Sequence, residues 1–465
     1  MPGNLSGSLK GGLLAATVFI VCWGGAIWYW RGAEGTPGTV ELALVLLALP
    51  LALAGSLSFG ARLLAQRTKA APAATANPAP AVVAATTPLP ALAIVSTALR
   101  SPHGASAEEL ANALASKQPR PDLDAELVDD AGFPVLAARC KEAADAALRD
   151  EVSSWLLQSG MPDLHWRDED WRALVLGSAV VAELASRAGD LLAAQGQPPL
   201  LRLLPLLPAD WSSAQRRAAS LWFAHLTASR GWPAAQLTLG RELELDDAMP
   251  AAASTLFTGL ARDAANGGTP LAALIVACAS YIGQETVDAW AREGILFTSN
   301  RPQGLVPGEG AAGLLLCEQG LAQAHAGSLF ALLDPAEEAL HAASNAVATS
   351  RQRAQPGMLG ELAVGASRHG GAALADIALV VADTGQRQPS MLELMGMVSR
   401  SLPQLDDAED VLCIGSASGH CGAVPFITAM ALAQHTALVR AAPVLCIANE
   451  ATPRRSVQLV RPAVA

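Results

Sequence analysis

Hydrophobic positions along this chain fall into two kinds of pattern. Near the N-terminus they run unbroken: Gly11 to Trp30 is free of charge and ends in Trp28, Tyr29 and Trp30, and Leu42 to Ala61 is a second uncharged run. Each is long enough for a helix to span a bilayer, and the closing aromatics suit a headgroup boundary. A short loop with Arg31, Gly35, Pro37 and Gly38 joins them into a helical hairpin over residues 1–69. Pro50 interrupts the second span, which a membrane tolerates better than water does. A cleaved signal peptide would account for Lys10 and the first run and leave the second unexplained. Lys10 before the hairpin, and Arg62, Arg67 and Lys69 after it, place both ends on the cytoplasmic side of an inner membrane.

Residues 70–90 are rich in Ala and Pro, show no period, and read as a tether reaching roughly 60 Å at about 3.1 Å per residue. From Ala91 the patterns shorten and alternate. A β-type run leads through the turn Pro102-His103-Gly104 to Ser106, which caps a helix with Glu108 and Glu109 at its positive end. Trp171 to Gly240 carries apolar helical patterns and short strands, among them Ala173 to Val181 and Ala235 to Leu239. Met249 to Ala265 reads as a helix, Gly267 to Pro270 as a turn and Leu271 to Ala279 as a buried strand. Between Asn300 and Leu316 the turn Gly308-Glu309-Gly310 opens directly into the apolar run Ala311 to Leu316. Glycine on both sides of a carboxylate permits unusual backbone angles, and Arg301 can pair with Glu309 across the turn. The order then repeats: strand Ser328–Leu333, a helix around Gly371, strand Ile377–Ala382, helix Ser390–Ser401, strand Val411–Ile414, helix Phe426–Gln434 and a strand pair from Val444 to Val460. Such alternation predicts α/β layers around largely parallel sheets.

Composition narrows the function. The residues are 51% hydrophobic and 16% charged, with a net charge of -11 and no long Lys/Arg run, which argues against nucleic acid as a partner. Cys22, Cys140, Cys278, Cys317, Cys413, Cys421 and Cys446 are scattered through mostly apolar stretches without a Cys-x-x-Cys, the usage of reduced thiols in a cytoplasmic domain. The histidines show no ligand spacing, so no metal site is expected and no cofactor is implied.

Residues 91–463 resemble the thiolase-like superfamily, most closely its β-ketoacyl synthase branch. Ser101-Pro102-His103-Gly104 before an acidic helix is similar to the synthase opening. Arg301-Pro302 followed by Gly308-Glu309-Gly310-Ala311 and an apolar strand matches the family's most specific stretch here, and Gly419-His420 before Gly422-Ala423 is similar to its late Gly-His signature. The resemblance implies a duplicated five-layer α/β/α/β/α core over residues 91–465, with an N-half of about 91–320 and a C-half of about 321–465. It also implies a homodimer. In that family a cysteine at a strand-to-helix elbow attacks an acyl thioester with help from two histidines.

The chemistry departs from the family. The elbow falls at Pro250-Ala251-Ala252-Ala253, with no cysteine or serine near Ala252. Asp383 stands where the first histidine belongs, Gly415 where a lysine belongs, and Asn449 to Arg454 replaces the closing glycine-rich element. Of the reactive groups His420 alone is kept, as a helix-start histidine. Asp383 is a turn former or a base, and Glu309 is structural. Residues that act as a unit fail as a unit, so covalent acyl transfer is expected to be lost. Three functions follow. The first is an inactive scaffold anchored at the inner membrane, an adaptor for a protein partner such as a type VI secretion effector, to whose associated thiolase-like proteins the chain bears a general likeness. The second is a partner that binds acyl chains or an acyl-carrier protein. The third is an active synthase whose nucleophile has moved to Cys278 or Cys421.

Overall fold

The structure, a computed structural model, describes residues 89–463 apart from 117–118, 162–163, 191–197, 241–252, 268–269, 326–328, 341–356 and 451–453. The expected membrane hairpin and all but the last two residues of the tether therefore lie outside the described residues, and among the described residues no helix is long and apolar enough to cross a membrane.

Strand β1 (Leu92–Arg100) is followed by helix α1 (Ala107–Ala115), whose cap Ser106 accepts the Glu109 N–H at 3.1 Å as the sequence predicts. A small hairpin, β2 (Asp122–Val128) and β3 (Pro134–Ala137), precedes α2 (Ala146–Gln158) and the long α3 (Asp168–Ala188). Ala173–Val181 is thus the middle of a helix. Next come β4 (Leu200–Leu206), α4 (Ser213–Ser229), β5 (Leu237–Leu239), α5 (Ala253–Asn266), β6 (Leu271–Ser280), α6 (Gln284–Glu293), β7 (Glu309–Glu318) and α7 (Gln319–His325). The second half runs β8 (Ala331–Leu333), β9 (Glu337–Leu340), α8 (Met358–His369), β10 (Leu379–Ala382), α9 (Gln388–Ser401), β11 (Val411–Cys413), α10 (Ile414–Ser418), α11 (Val424–Arg440), β12 (Val444–Ala448) and β13 (Arg454–Pro462). The helix expected around Gly371 ends at His369, and Gly371 follows with a φ of +69°.

The sheet is mixed, which corrects the largely parallel expectation. Its strand order, β11-β10-β12-β13-β8-β1-β7-β6-β4-β5, is two copies of one plan laid end to end. In each copy two parallel pairings (β5·β4·β6 and β11·β10·β12) are followed by two antiparallel ones (β6·β7·β1 and β12·β13·β8). The copies meet where β1 runs antiparallel to β8, pairing Leu92 with Leu333, Ala93 with Leu332 and Ile94 with Ala331.

Alternation along the strands assigns the layers. On β6, Leu274 and Val276 pack outward with α3 and α4, while Ala273 and Ile275 pack inward with α5 and α11. On β10, Val381 joins that same inner cluster and Val380 faces α8 and α9. Three helical strata therefore enclose two half-sheets. Helix α11 is buried on most sides, as its largely apolar sequence from Val424 to Ala433 requires.

Candidate functional site

Glu309, on which the sequence motif turns, is wholly buried and has a different partner from the one expected. Its Oε1 accepts from Arg172 Nη2 at 2.5 Å and from the Cys140 N–H at 2.7 Å, and its Oε2 accepts from Arg172 Nε at 2.8 Å and Ser280 Oγ at 2.9 Å. This bidentate pair ties α3 to the head of β7. Arg301 instead donates to the Ala291 carbonyl at 3.2 Å, at the C-terminal end of α6, and Pro302 lies in the turn beyond it. The flanking glycines adopt no positive φ. They are there for close approach: a Cβ on Gly308 would meet the Ser418 carbonyl at 2.1 Å, and one on Gly310 the Arg100 carbonyl at 3.0 Å.

Behind this strand lies a cavity of about 230 Å³. Three parallel strands, β10, β11 and β12, deliver their C-terminal ends to it, the end at which open α/β sheets bind ligands. Asp383 leaves β10, Gly415 opens α10 after β11, and Glu450 follows β12; all three line the cavity, together with Gly419 and His420. Gly419 needs both its freedom and its size. Its φ is +67°, and a Cβ there would meet the Val306 and Pro307 carbonyls at 2.9 Å. That approach lets the His420 N–H reach the Val306 carbonyl at 2.7 Å while the Gly308 N–H reaches the His420 carbonyl at 3.1 Å.

The His420 ring stacks on Tyr281, with centroids 5.3 Å apart, and meets Trp290 edge-on at 5.7 Å. Burial pushes its pKa down to about 4, so the imidazole is neutral at pH 7. Asp383 is also buried; its Oδ1 accepts the N–H of Asn449 at 2.8 Å and of Glu450 at 3.1 Å. Burial outweighs those two bonds and raises its pKa to about 7. Arg387 donates through Nε to Glu450 Oε1 at 2.7 Å and through Nη2 to the Glu450 carbonyl at 2.5 Å, while Glu450 Oε2 accepts the Gly385 N–H at 3.0 Å. A Cβ on Gly415 would meet the Asp383 carbonyl at 2.3 Å, so this position has closed onto the Asp383 loop.

His420, Asp383, Gly415 and Gly419 thus line one cavity, with Arg301, Pro302, Glu309 and Gly310 in the frame around it. The elbow residues 250–252 lie outside the described residues. The candidate thiols point elsewhere. Cys278 faces α3, its Sγ 2.9 Å from where a Cβ on Gly177 would sit, and burial raises its pKa to about 12. Cys421 belongs to the inner core cluster, and burial, with Glu309 adding to it, pushes its thiol up. Among the described residues no cysteine lines the cavity. Tyr281, Trp290 and Arg387 escaped the sequence reading; the one signal for Tyr281 was an aromatic placed at the end of a buried strand. Among the described residues no three His, Cys, Asp or Glu side chains converge as a metal ion would require.

No protein-family description matches the chain, and no curated protein matches it in sequence. Solved structures do. An oxazolomycin ketosynthase domain from Streptomyces albus superposes with a TM-score of 0.56 at 14% identity, over 81% of this chain and 74% of that one. The fold is that of the ketosynthases. The module 6 ketosynthase of the bacillaene synthase from Bacillus subtilis shares this ketosynthase fold at a TM-score of 0.56 and 14% identity, over 81% and 72% of the two chains. A type II polyketide synthase acyl-carrier protein in complex with its ketosynthase bound to the hexaketide gives 0.54 and 10%, over 81% of this chain and 100% of that one.

Proposed function

We infer that this ketosynthase-fold protein binds acyl groups presented by an acyl-carrier protein, and does so without forming a covalent acyl-cysteine. One observation carries the reading: among the described residues the cavity that gathers His420, Asp383 and Glu450 has no thiol in its lining, while Cys278 and Cys421 are buried in packed layers with raised pKa values. A neutral thiol is a poor nucleophile. At about 230 Å³ the cavity falls below the roughly 300–1,000 Å³ of sites for drug-sized ligands, so it suits the thioester end of a chain rather than the whole of it. A ketosynthase neighbour solved with its acyl-carrier protein supports a carrier as the presenting partner. Residues 1–69 complete the proposal as an inner-membrane hairpin that holds this domain on the cytoplasmic side. Nothing among the described residues favours the loading of secreted effectors over this function.

The test is to incubate the full-length protein in detergent with an acyl-carrier protein carrying an amide-linked acyl chain, and separately with the matching thioester. Saturable binding of the amide, with no acyl mass gained by the protein from the thioester, is the expected result. An acyl adduct on any cysteine, or no binding, overturns it.

A further inference from the structure

Three polar groups in the cavity have no hydrogen-bond partner among the described residues. They are Asp383 Oδ2, the ring nitrogens of His420 and Arg387 Nη1. Asp383 is 9% exposed and lines the cavity, and its Oδ2 is not sealed inside the core. Its partner Oδ1 is fixed by two backbone N–H groups, which sets the plane of the carboxyl. His420 is fixed in turn by its stack on Tyr281 and by its backbone pairing with Val306. A carboxyl with one oxygen anchored and one free, sharing a small cavity with a held neutral imidazole, has the parts of a general base beside a hydrogen-bond donor.

We propose that the cavity hydrolyses the acyl thioesters it binds, with Asp383 as general base for a water molecule and His420 as donor to the carbonyl oxygen. The substrate class rests on the function proposed above. In the first step the water oxygen bonds to the carbonyl carbon, its proton passes to Asp383 Oδ2, and the carbonyl electrons move to an oxyanion that accepts the His420 N–H. In the second step the carbonyl re-forms, the carbon–sulfur bond breaks, and the departing thiolate takes the proton back from Asp383. The products are a carboxylic acid and a free thiol, and neither oxidant nor covalent enzyme intermediate is needed. Asp383 titrates near neutrality, where a general base is most effective. The charged and titratable groups around it are Glu450, Arg387, Arg455, Cys413 and His420; Glu450 raises its pKa and Arg455 lowers it.

The experiment measures thiol release from an acyl-carrier-protein thioester by the full-length protein, alongside binding of the amide-linked analogue. Asp383→Asn keeps the Oδ1 acceptor for Asn449 and Glu450. It is expected to lower hydrolysis by about 100-fold or more, the usual contribution of such a base, while saturable amide binding is still measured. The wild-type rate rises with pH and levels above about 7, and the variant loses that inflection. His420→Ala gives a smaller loss with the inflection retained. Binding without release above the uncatalysed rate, or undiminished release by Asp383→Asn, overturns the hydrolysis and leaves the binding function standing. Absence of amide binding removes the binding function itself.

Discussion

Asp383→Asn also makes a prediction about stability that needs no substrate. Burial raises the carboxyl from the usual value of 3.8 to about 7 in the folded protein, so the folded state holds a proton that the unfolded chain gives up. Its contribution is fully present below pH 3.8 and is lost as pH rises through about 7. A difference of 3.2 between those two values corresponds to about 4 kcal/mol at 1.36 kcal/mol per unit, complete by pH 8 and about 2 kcal/mol at pH 5. Asparagine carries no charge at either pH and still accepts from both backbone N–H groups. The variant is therefore expected to be more stable than the wild type, by an amount that grows by about 2 kcal/mol between pH 5 and pH 8. Urea unfolding of both proteins in detergent, followed by tryptophan fluorescence across that range, gives the difference directly and cancels every other titrating group. A stability difference that stays flat with pH, or a variant weaker than the wild type at pH 8, refutes the argument. Retaining a carboxyl at this cost is the trade between stability and activity that functional residues make.

Other changes test the frame. Arg172→Ala leaves the wholly buried Glu309 uncompensated and should cost about 3–5 kcal/mol in urea unfolding, and the double change Arg172→Met with Glu309→Leu should recover much of it. Gly415→Ala drives a Cβ onto the Asp383 carbonyl and should cost about 1–3 kcal/mol, read as a fall in thermal midpoint together with weakened amide binding. Iodoacetamide at pH 7.5 should spare Cys278, Cys317, Cys421 and Cys446 in the folded protein, because burial raises the pKa of each; rapid labelling of Cys421 mapped by mass spectrometry would return it to candidacy as a nucleophile. Removing residues 1–69 should transfer the protein from the membrane pellet to the soluble fraction, and continued sedimentation with membranes would contradict the hairpin.

The residues that signal locally were legible in advance. Ser106 announces its helix three residues before Glu109 answers it, and the unbroken apolar runs Leu271–Ala279 and Ala311–Leu316 mark two buried strands that carry opposite layers on alternate side chains. Strand direction was not legible, because alternating segments say nothing of which way each runs. Leu200–Leu206 went unrecognised because Pro205 sits inside it; proline is tolerated there because β5 pairs only as far as Leu203. Glu309 was placed correctly and partnered wrongly, since Arg172 lies 137 residues away in sequence and only the fold brings it near. For the same reason Asp383 and His420 could be singled out one by one, but the Tyr281 and Trp290 rings that hold the imidazole could not.

The two copies of the sheet plan share a ladder of three residue pairs, Leu92–Leu333, Ala93–Leu332 and Ile94–Ala331, and are bridged again between Pro307 and His420. The cavity lies between the same two copies but towards the other end of β1, where β7 begins: Leu305 and Val306 come from one copy, Asp383 and Glu450 from the other. Whatever occupies it is gripped from both sides and acts as a clasp. Amide exchange at His420 and Gly308, whose N–H groups bond from one copy to the other beside the cavity, should therefore slow when the cavity fills.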